Sequence, residues 1–204
     1  MEYFTKDNIE MMVKHCQQLE RLSFNVENLY LTVPYDLICL LPRLKHLELW
    51  HDGSISDSLI EGLINKKGSP LESLIIGSGG LFEDQVKHIC NISTFFNLKN
   101  LLYLHIHMPV TNDQAMDLLK GLPRLEVLNL RNNEMIDHDN LVNSVRTWMS
   151  EQREQRGKIK IYLQNSPKYL LENNCDDIEP LIEIINGLSL RDPILMSKKL
   201  SERV

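Results

Sequence analysis

Cysteine is scarce in this sequence, and what little there is forms no pattern. Cys16, Cys39, Cys90 and Cys175 are the only four in 204 residues, and none makes a C-x-x-C pair. That excludes a disulfide scaffold and a zinc knuckle of the usual spacing. Cys16, Cys39 and Cys90 each stand in an apolar stretch and read as small buried hydrophobes. Long apolar runs are missing too: nothing approaches the ~20 residues that span a bilayer. The opening Met1-Glu2-Tyr3-Phe4-Thr5-Lys6-Asp7 has neither the basic start nor the apolar stretch of a signal peptide. Reduced thiols without an export signal set the expectation of a cytoplasmic or nuclear protein. Positive charge is in deficit, with 22 Lys and Arg against 28 Asp and Glu and a net charge of −6. Nucleic-acid binding needs a concentrated basic surface, so neither nucleic acid nor membrane is expected as a partner.

Catalytic signatures are equally thin. Gly77-Ser78-Gly79-Gly80 lacks the Lys-Ser/Thr that completes a phosphate loop and reads as a turn after a strand. No G-x-S-x-G elbow and no H-E-x-x-H occurs. Asp137-His138-Asp139 resembles a ligand cluster but stands where a helix N-terminus needs a cap. The chain is therefore not expected to be an enzyme, and no metal or other cofactor is called for.

What is abundant is a repeated phrase, L-x-x-L-x-L. It begins at Leu19, Leu44, Leu71, Leu101 and Leu125, and a weaker copy runs from Ile159 to Leu163. In L-x-L the two apolar side chains point to one face of a short strand. A single such strand buries nothing, but copies laid side by side form a parallel sheet over a continuous aliphatic column. Parallel strands need crossovers, usually helical. Suitable segments lie between the copies. Residues 56–67 place a polar cap before Leu59, Ile60, Leu63 and Ile64, and Asp84 precedes Val86, Ile89, Cys90 and Ile92. Thr111-Asn112-Asp113 precedes Ala115, Met116, Leu118 and Leu119, while Asp137 precedes Leu141, Val142, Val145 and Met149. Thr5 to Asp7 opens a first helix with Ile9, Met12, Val13 and Cys16. Pro42, Pro70 and Pro123 mark where a preceding helix has ended.

With these residues in view the chain resembles a leucine-rich-repeat protein over about residues 5–164. Its phrasing is similar to the cysteine-containing repeats of F-box/leucine-rich-repeat proteins, "C-x-x-L-x-x-L-x-L…I-T-D-x-x-L". The matching residues are Cys16, Leu19, Leu22 and Phe24; Ile55, Ser56, Asp57 and Leu59; Val110, Thr111, Asp113 and Ala115; and Ile136, Asp137, Asp139 and Leu141. Later copies lack the cysteine, and the asparagine of such repeats occurs once, as Asn133. The resemblance implies an α/β leucine-rich-repeat solenoid of about six repeats, with the parallel sheet on a concave face and the helices on a convex one. It also implies a substrate receptor of a cullin-based ubiquitin ligase, which grips the ligase adaptor through an F-box. None is legible before the first repeat helix, so the chain reads as a fragment, a divergent paralogue or an unrelated adaptor.

If the aliphatics of L-x-L point inward, the residues between and beside them face the concave side. Three rows result: Ser23, Glu48, Ile75, His105, Asn129, Tyr162; then Asn25, Trp50, Gly77, His107, Arg131, Gln164; and Arg21, His46, Ser73, Tyr103, Val127, Lys160. The candidate partner-binding residues are His46, Glu48 and Trp50, then Tyr103, His105 and His107, then Asn129, Arg131 and Tyr162. Trp, Tyr and Arg are the types that dominate binding hot spots. His105 and His107 share a face, but His46 stands about two strands away, too far for one metal to bind all three directly. Six strands at ~4.8 Å make a face roughly 24 Å wide, room for ~800 Å² against one protein or peptide.

After Leu163 the pattern changes. Asp176-Asp177-Ile178-Glu179-Pro180 predicts a helix that carries Leu181, Ile182, Ile184 and Ile185 and ends at Gly187. Residues 165–187 thus read as a C-terminal cap and 188–204 as a disordered tail. The functional expectation is a module that binds a protein partner, a ligase substrate in the family's terms, on the concave sheet. The alternative is a non-ligase adaptor or complex subunit that uses the convex helices or the tail.

Overall fold

Each L-x-x-L-x-L phrase runs into a strand. In the computed structural model, which describes residues 6–26, 35–51, 57–65, 70–77, 91–107, 109–131, 133–151, 158–163 and 182–186, these are β1 (Arg21–Val26), β2 (His46–His51), β3 (Ser73–Gly77), β4 (Tyr103–His107), β5 (Val127–Asn129) and β6 (Ile159–Leu163). A further strand, β7 (Ile182–Asn186), follows. All seven are parallel and lie side by side in chain order. The pairing aligns Leu22, Leu47, Leu74, Leu104, Leu128 and Ile161 in one row across six strands. From Leu47 onward every member of that row is at most 1% exposed.

The phrase also fixes how each strand is entered. A tight turn closes just before it, from Leu19 N to Cys16 O, Leu44 N to Leu41 O, Leu101 N to Leu98 O and Leu125 N to Leu122 O. Pro42 and Pro123 stand at the second residue of two of these turns, where their fixed φ suits the bend and no N–H is needed. One residue ahead of each strand a carbonyl then accepts two amides of the next phrase. Glu20 O takes Lys45 N and His46 N, Lys45 O takes Glu72 N and Ser73 N, Glu72 O takes Leu102 N and Tyr103 N, and Leu102 O takes Glu126 N and Val127 N. The strand starts are thus held level.

The described crossovers carry four helices, α1 (Lys6–His15), α2 (Asp57–Asn65), α3 (Asn112–Gly121) and α4 (His138–Glu151), and two 3₁₀ segments, Tyr35–Leu40 and Ile92–Asn97. The helices form where the polar-cap pattern predicts them. Thr111 closes a reciprocal capping box with Gln114, whose backbone N donates to Thr111 Oγ1 at 3.3 Å and whose side chain accepts from Thr111 N at 2.9 Å. Asp137 Oδ1 accepts from Asn140 N at 3.1 Å, which makes the Asp-His-Asp stretch a helix start. The two helix starts are tied together, since Asn112 Nδ2 donates to Asp137 O and Asp137 N donates to Asn112 Oδ1, both at 3.0 Å. Asn133 is 5% exposed, and its Oδ1 accepts from Val110 N and Met135 N, so it joins two successive crossovers. The remainder of the segment expected to be helical after Asp84 lies outside the described residues; Ile92, its last apolar position, begins a 3₁₀ segment that buries Phe95.

Inward-pointing strand residues and the apolar faces of α1 to α4 share one continuous core, from Ile9 and Val13 at one end to Ile159, Ile161 and Leu163 at the other. Two expectations fail. Residues 182–186 are a strand rather than part of a helix. Three of their five residues are isoleucine, which suits a pleated surface better than a helix, and the edge of β6 offers them a partner, with Ile159 opposite Ile182 and Ile161 opposite Ile184. The rest of the proposed cap and the 188–204 tail lie outside the described residues. Cys16 is exposed, not buried, whereas Leu41, Leu98 and Leu122 at the matching turn position are 0% exposed. Cys16 belongs to the first turn of the series, where no earlier phrase packs over it among the described residues. Cys39 is buried as expected, with its Sγ 3.4 Å from Leu59 O. No described helix is long and apolar enough to cross a membrane.

Candidate functional site

The face of the sheet away from the helices carries a second, smaller cluster built from strand residues alone: Ile75, Tyr103, Val127 and Tyr162, with Trp50 packed against them. The register puts the candidate residues in the rows expected of them. Ser23, Glu48, Ile75, His105, Asn129 and Tyr162 align across β1 to β6, and Trp50, Gly77 and His107 align across β2 to β4.

Trp50 is the keystone of the arrangement. Its indole Nε1 donates to Glu48 Oε1 at 2.8 Å, while Glu48 Oε2 accepts from Ser23 Oγ at 2.9 Å. So anchored, the ring lies across β3 to meet His105 edge-on at 5.8 Å between centroids and His107 at 5.6 Å. It passes directly over Gly77, where an added Cβ would fall 2.2 Å from the ring's Cζ3. Gly77 therefore matters more than any sequence motif suggested. The legible signal is a glycine in register between a tryptophan and a histidine on neighbouring strands, visible only once the pairing is known. Gly77→Ala is expected to turn the Trp50 ring off β3. In a Trp148→Phe background the check is a red-shifted, more mobile Trp50 emission; an unchanged spectrum would mean that the ring does not lie there.

The other half of the face is built on β4, β5 and the turn after β5. Asn129 Nδ2 donates to the Tyr103 hydroxyl at 3.4 Å, and Asn129 Oδ1 accepts from Arg131 N at 3.2 Å. The Arg131 guanidinium carbon stands 4.9 Å from the centroid of the Tyr162 ring, a cation–π contact. Burial raises the Tyr103 pKa to about 12, partly offset by the bond from Asn129, so the phenol keeps its proton at neutral pH. Burial also lowers the His105 pKa to about 4, assisted by His107 and Arg131. His46 is lowered to about 4 by burial and then by Arg21 and Lys45, against an opposing Glu20. Both imidazoles are neutral at pH 7.

The structure brings eight of the nine candidates into this connected patch. His46 shares their face but stands in the row of Ser73 and Tyr103, apart from the Trp50–His105–His107 ring cluster. The face is less bare than the alternation suggests. Tyr103, His105, Asn129, Arg131 and Tyr162 are each at most 7% exposed, because large side chains on adjacent strands cover one another. His46, Glu48, Trp50 and His107 are the half-buried rim.

A second recess lies on the helical side, a groove of about 600 Å³ between α3 and α4. Asp113, Asp117 and Glu151 rim it, and Met116 and Trp148 supply its apolar wall.

No protein-family model matches the chain, and no curated protein is significantly similar to it.

Proposed function

We propose that the chain is a leucine-rich-repeat solenoid of about six repeats that holds a protein partner on its strand-only, concave face. It works by presenting a fixed set of side chains and carries out no reaction. The observation that supports this best is the registered patch of Trp50, Tyr103, Arg131 and Tyr162 on the sheet face opposite the helix-lined core. Those residue types are the ones that dominate binding hot spots, and here Glu48 holds the Trp50 ring and Asn129 the Tyr103 hydroxyl. In the terms of the F-box resemblance the module is the substrate-recognition part of a cullin-based ubiquitin ligase receptor, acting in cytoplasm or nucleus.

A photo-reactive amino acid placed at His46 or His107, on the rim of the sheet face, tests this. The partner is expected to crosslink from these positions and not from Asp117 or Thr147 on the helical side. The reverse pattern favours the second reading, an adaptor or complex subunit that docks through its helices, for which the α3–α4 groove supplies the observation.

A further inference from the structure

The end of the sheet that begins with β1 is built differently from its middle. β1 is the first strand of the order, and among the described residues no strand lies on its outer side. It is 6 residues long, the same length as β2, whereas native sheets usually keep their edges short or interrupted. The aliphatic column is open at the same place. Leu19 and Leu22 are only partly buried, although their counterparts from Leu44 and Leu47 through to Leu125 and Leu128 are at most 2% exposed. Met12 on α1 is likewise only partly buried against the core.

The ladder fixes which backbone groups face outward. His46 N donates to Glu20 O, and a parallel pair uses alternate residues of each strand. Glu20, Leu22 and Phe24 therefore direct their peptide groups at β2, and Arg21, Ser23 and Asn25 direct theirs the other way. A second copy of the chain can meet these groups with the same groups. With a two-fold axis at Ser23 the two β1 strands run antiparallel, Ser23 lies opposite its own copy and Arg21 lies opposite Asn25. Every such pair consists of outward-directed residues, and each exchanges two hydrogen bonds. The same register sets Leu22 opposite Phe24, so the rows of Leu47 and Leu49 stay on the helix side in both copies. A slip of one residue opposes an outward-directed residue to one directed at β2 and sets the aliphatics of one copy against the polar face of the other.

Charge at this edge does not oppose a like copy, despite the net −6 of the chain. α1 carries Lys6 and Lys14 against Asp7 and Glu10, and Glu20 is paired with Lys45 at 3.2 Å. The two Arg21 side chains are set apart, each beside an Asn25. A contact from β7 to β1 of the next copy would instead run head to tail and would not close.

We propose that β1 is a dimer edge: two copies of this chain pair their β1 strands antiparallel about Ser23 and cover each other's Met12 and Leu22. The strand-only faces then join across the axis, and one continuous sheet carries the Trp50 cluster of each copy.

The experiment follows the full chain by sedimentation equilibrium from micromolar to millimolar concentration, where a monomer–dimer equilibrium is expected. Ser23→Pro is the blocking variant. Its ring removes an N–H that points away from β2, a place where an edge strand accepts proline. The monomer is expected to keep its fold, with an unchanged m-value in urea, while dimerisation weakens at least about tenfold. Crosslinking reads the geometry. In the hydrogen-bonded pair the two Ser23 Cα atoms lie about 5.5 Å apart, within reach of a disulfide. In a chain with Cys16, Cys90 and Cys175 replaced by Ser, Ser23→Cys is expected to give a covalent dimer on mild oxidation, and Ser150→Cys, exposed on α4, is not. Should Ser23→Pro fail to fold, this pair of variants decides alone. A dimer that keeps its affinity in folded Ser23→Pro, or that crosslinks through Ser150→Cys and not through Ser23→Cys, overturns the proposal. A chain that stays monomeric at millimolar concentration overturns it as well, and deuterium exchange then names the occupant. Slow exchange of the Ser23 amide places a segment of the same chain on the edge, and fast exchange leaves the edge to a different protein.

Discussion

Leu104→Ala is expected to cost about 2–5 kcal/mol of folding free energy. Leu104 is 0% exposed on β4, with Leu74 and Leu128 as its register neighbours and Ile106 beside it in the same core. The size of such a loss depends on how far the surroundings relax into the vacated space. Here they relax little, because β3 and β5 are both hydrogen-bonded to β4 and the strand starts are fixed by shared carbonyls at Glu72 and Leu102. Equilibrium urea denaturation is the check, with an unchanged m-value showing that the same surface is exposed on unfolding. Leu22→Ala is the internal control. Leu22 occupies the matching position on β1, at the end of the sheet, and is only partly buried. Its truncation is expected to cost clearly less. Equal losses at the two sites would mean that the aliphatic column is not a continuous packed core.

The column itself was legible in the chain because its signal is periodic and local. Leu19-x-x-Leu22 and its copies state both the alternation of a strand and the interval at which strands recur, and the observed pairing of Leu47, Leu74, Leu104 and Leu128 follows that spacing. The helix starts at Thr111 and Asp137 were legible for a similar reason, since a cap is chosen by residues within one turn of it. Three other features depend on contacts distant in sequence. Residues 182–186 have apolar spacing compatible with either helix or strand, and the free edge of β6, 19 or more positions earlier, decides for strand. Cys16 reads like Cys39 in its local stretch, yet Cys39 is buried against α2, with Gly62 close to its sulfur, while Cys16 is exposed. On the sheet face the candidates were placed in the right rows, but not their mutual burial. Alternation says which way His105 and Tyr103 point. It does not say that Trp50 reaches across Gly77 to lie against His105.

Mild acid is expected to destabilise the fold, and His105 to account for much of the effect. An unfolded histidine titrates near 6.5, whereas burial first, and His107 and Arg131 next, hold the folded His105 at about 4. Between those values the unfolded chain binds a proton that the folded chain refuses, so stability rises with pH. His105's contribution is therefore present in full above pH 6.5 and is lost as pH falls toward 4. From pH 7 to pH 5 this amounts to about 2 kcal/mol. His46 has the same sign and adds to the slope, since its folded pKa is also lowered, by burial and then by Arg21 and Lys45. The upper part of this window, between pH 7 and 5, lies above the carboxylate values of about 4, which keeps the histidines distinguishable there from general acid unfolding. His105→Phe is expected to be more stable than the parent at pH 5 and to show a markedly flatter dependence of stability on pH, measured by urea denaturation at half-unit steps. Were its slope the same as the parent's, the imidazole would be solvated in the folded chain rather than sealed beside Trp50.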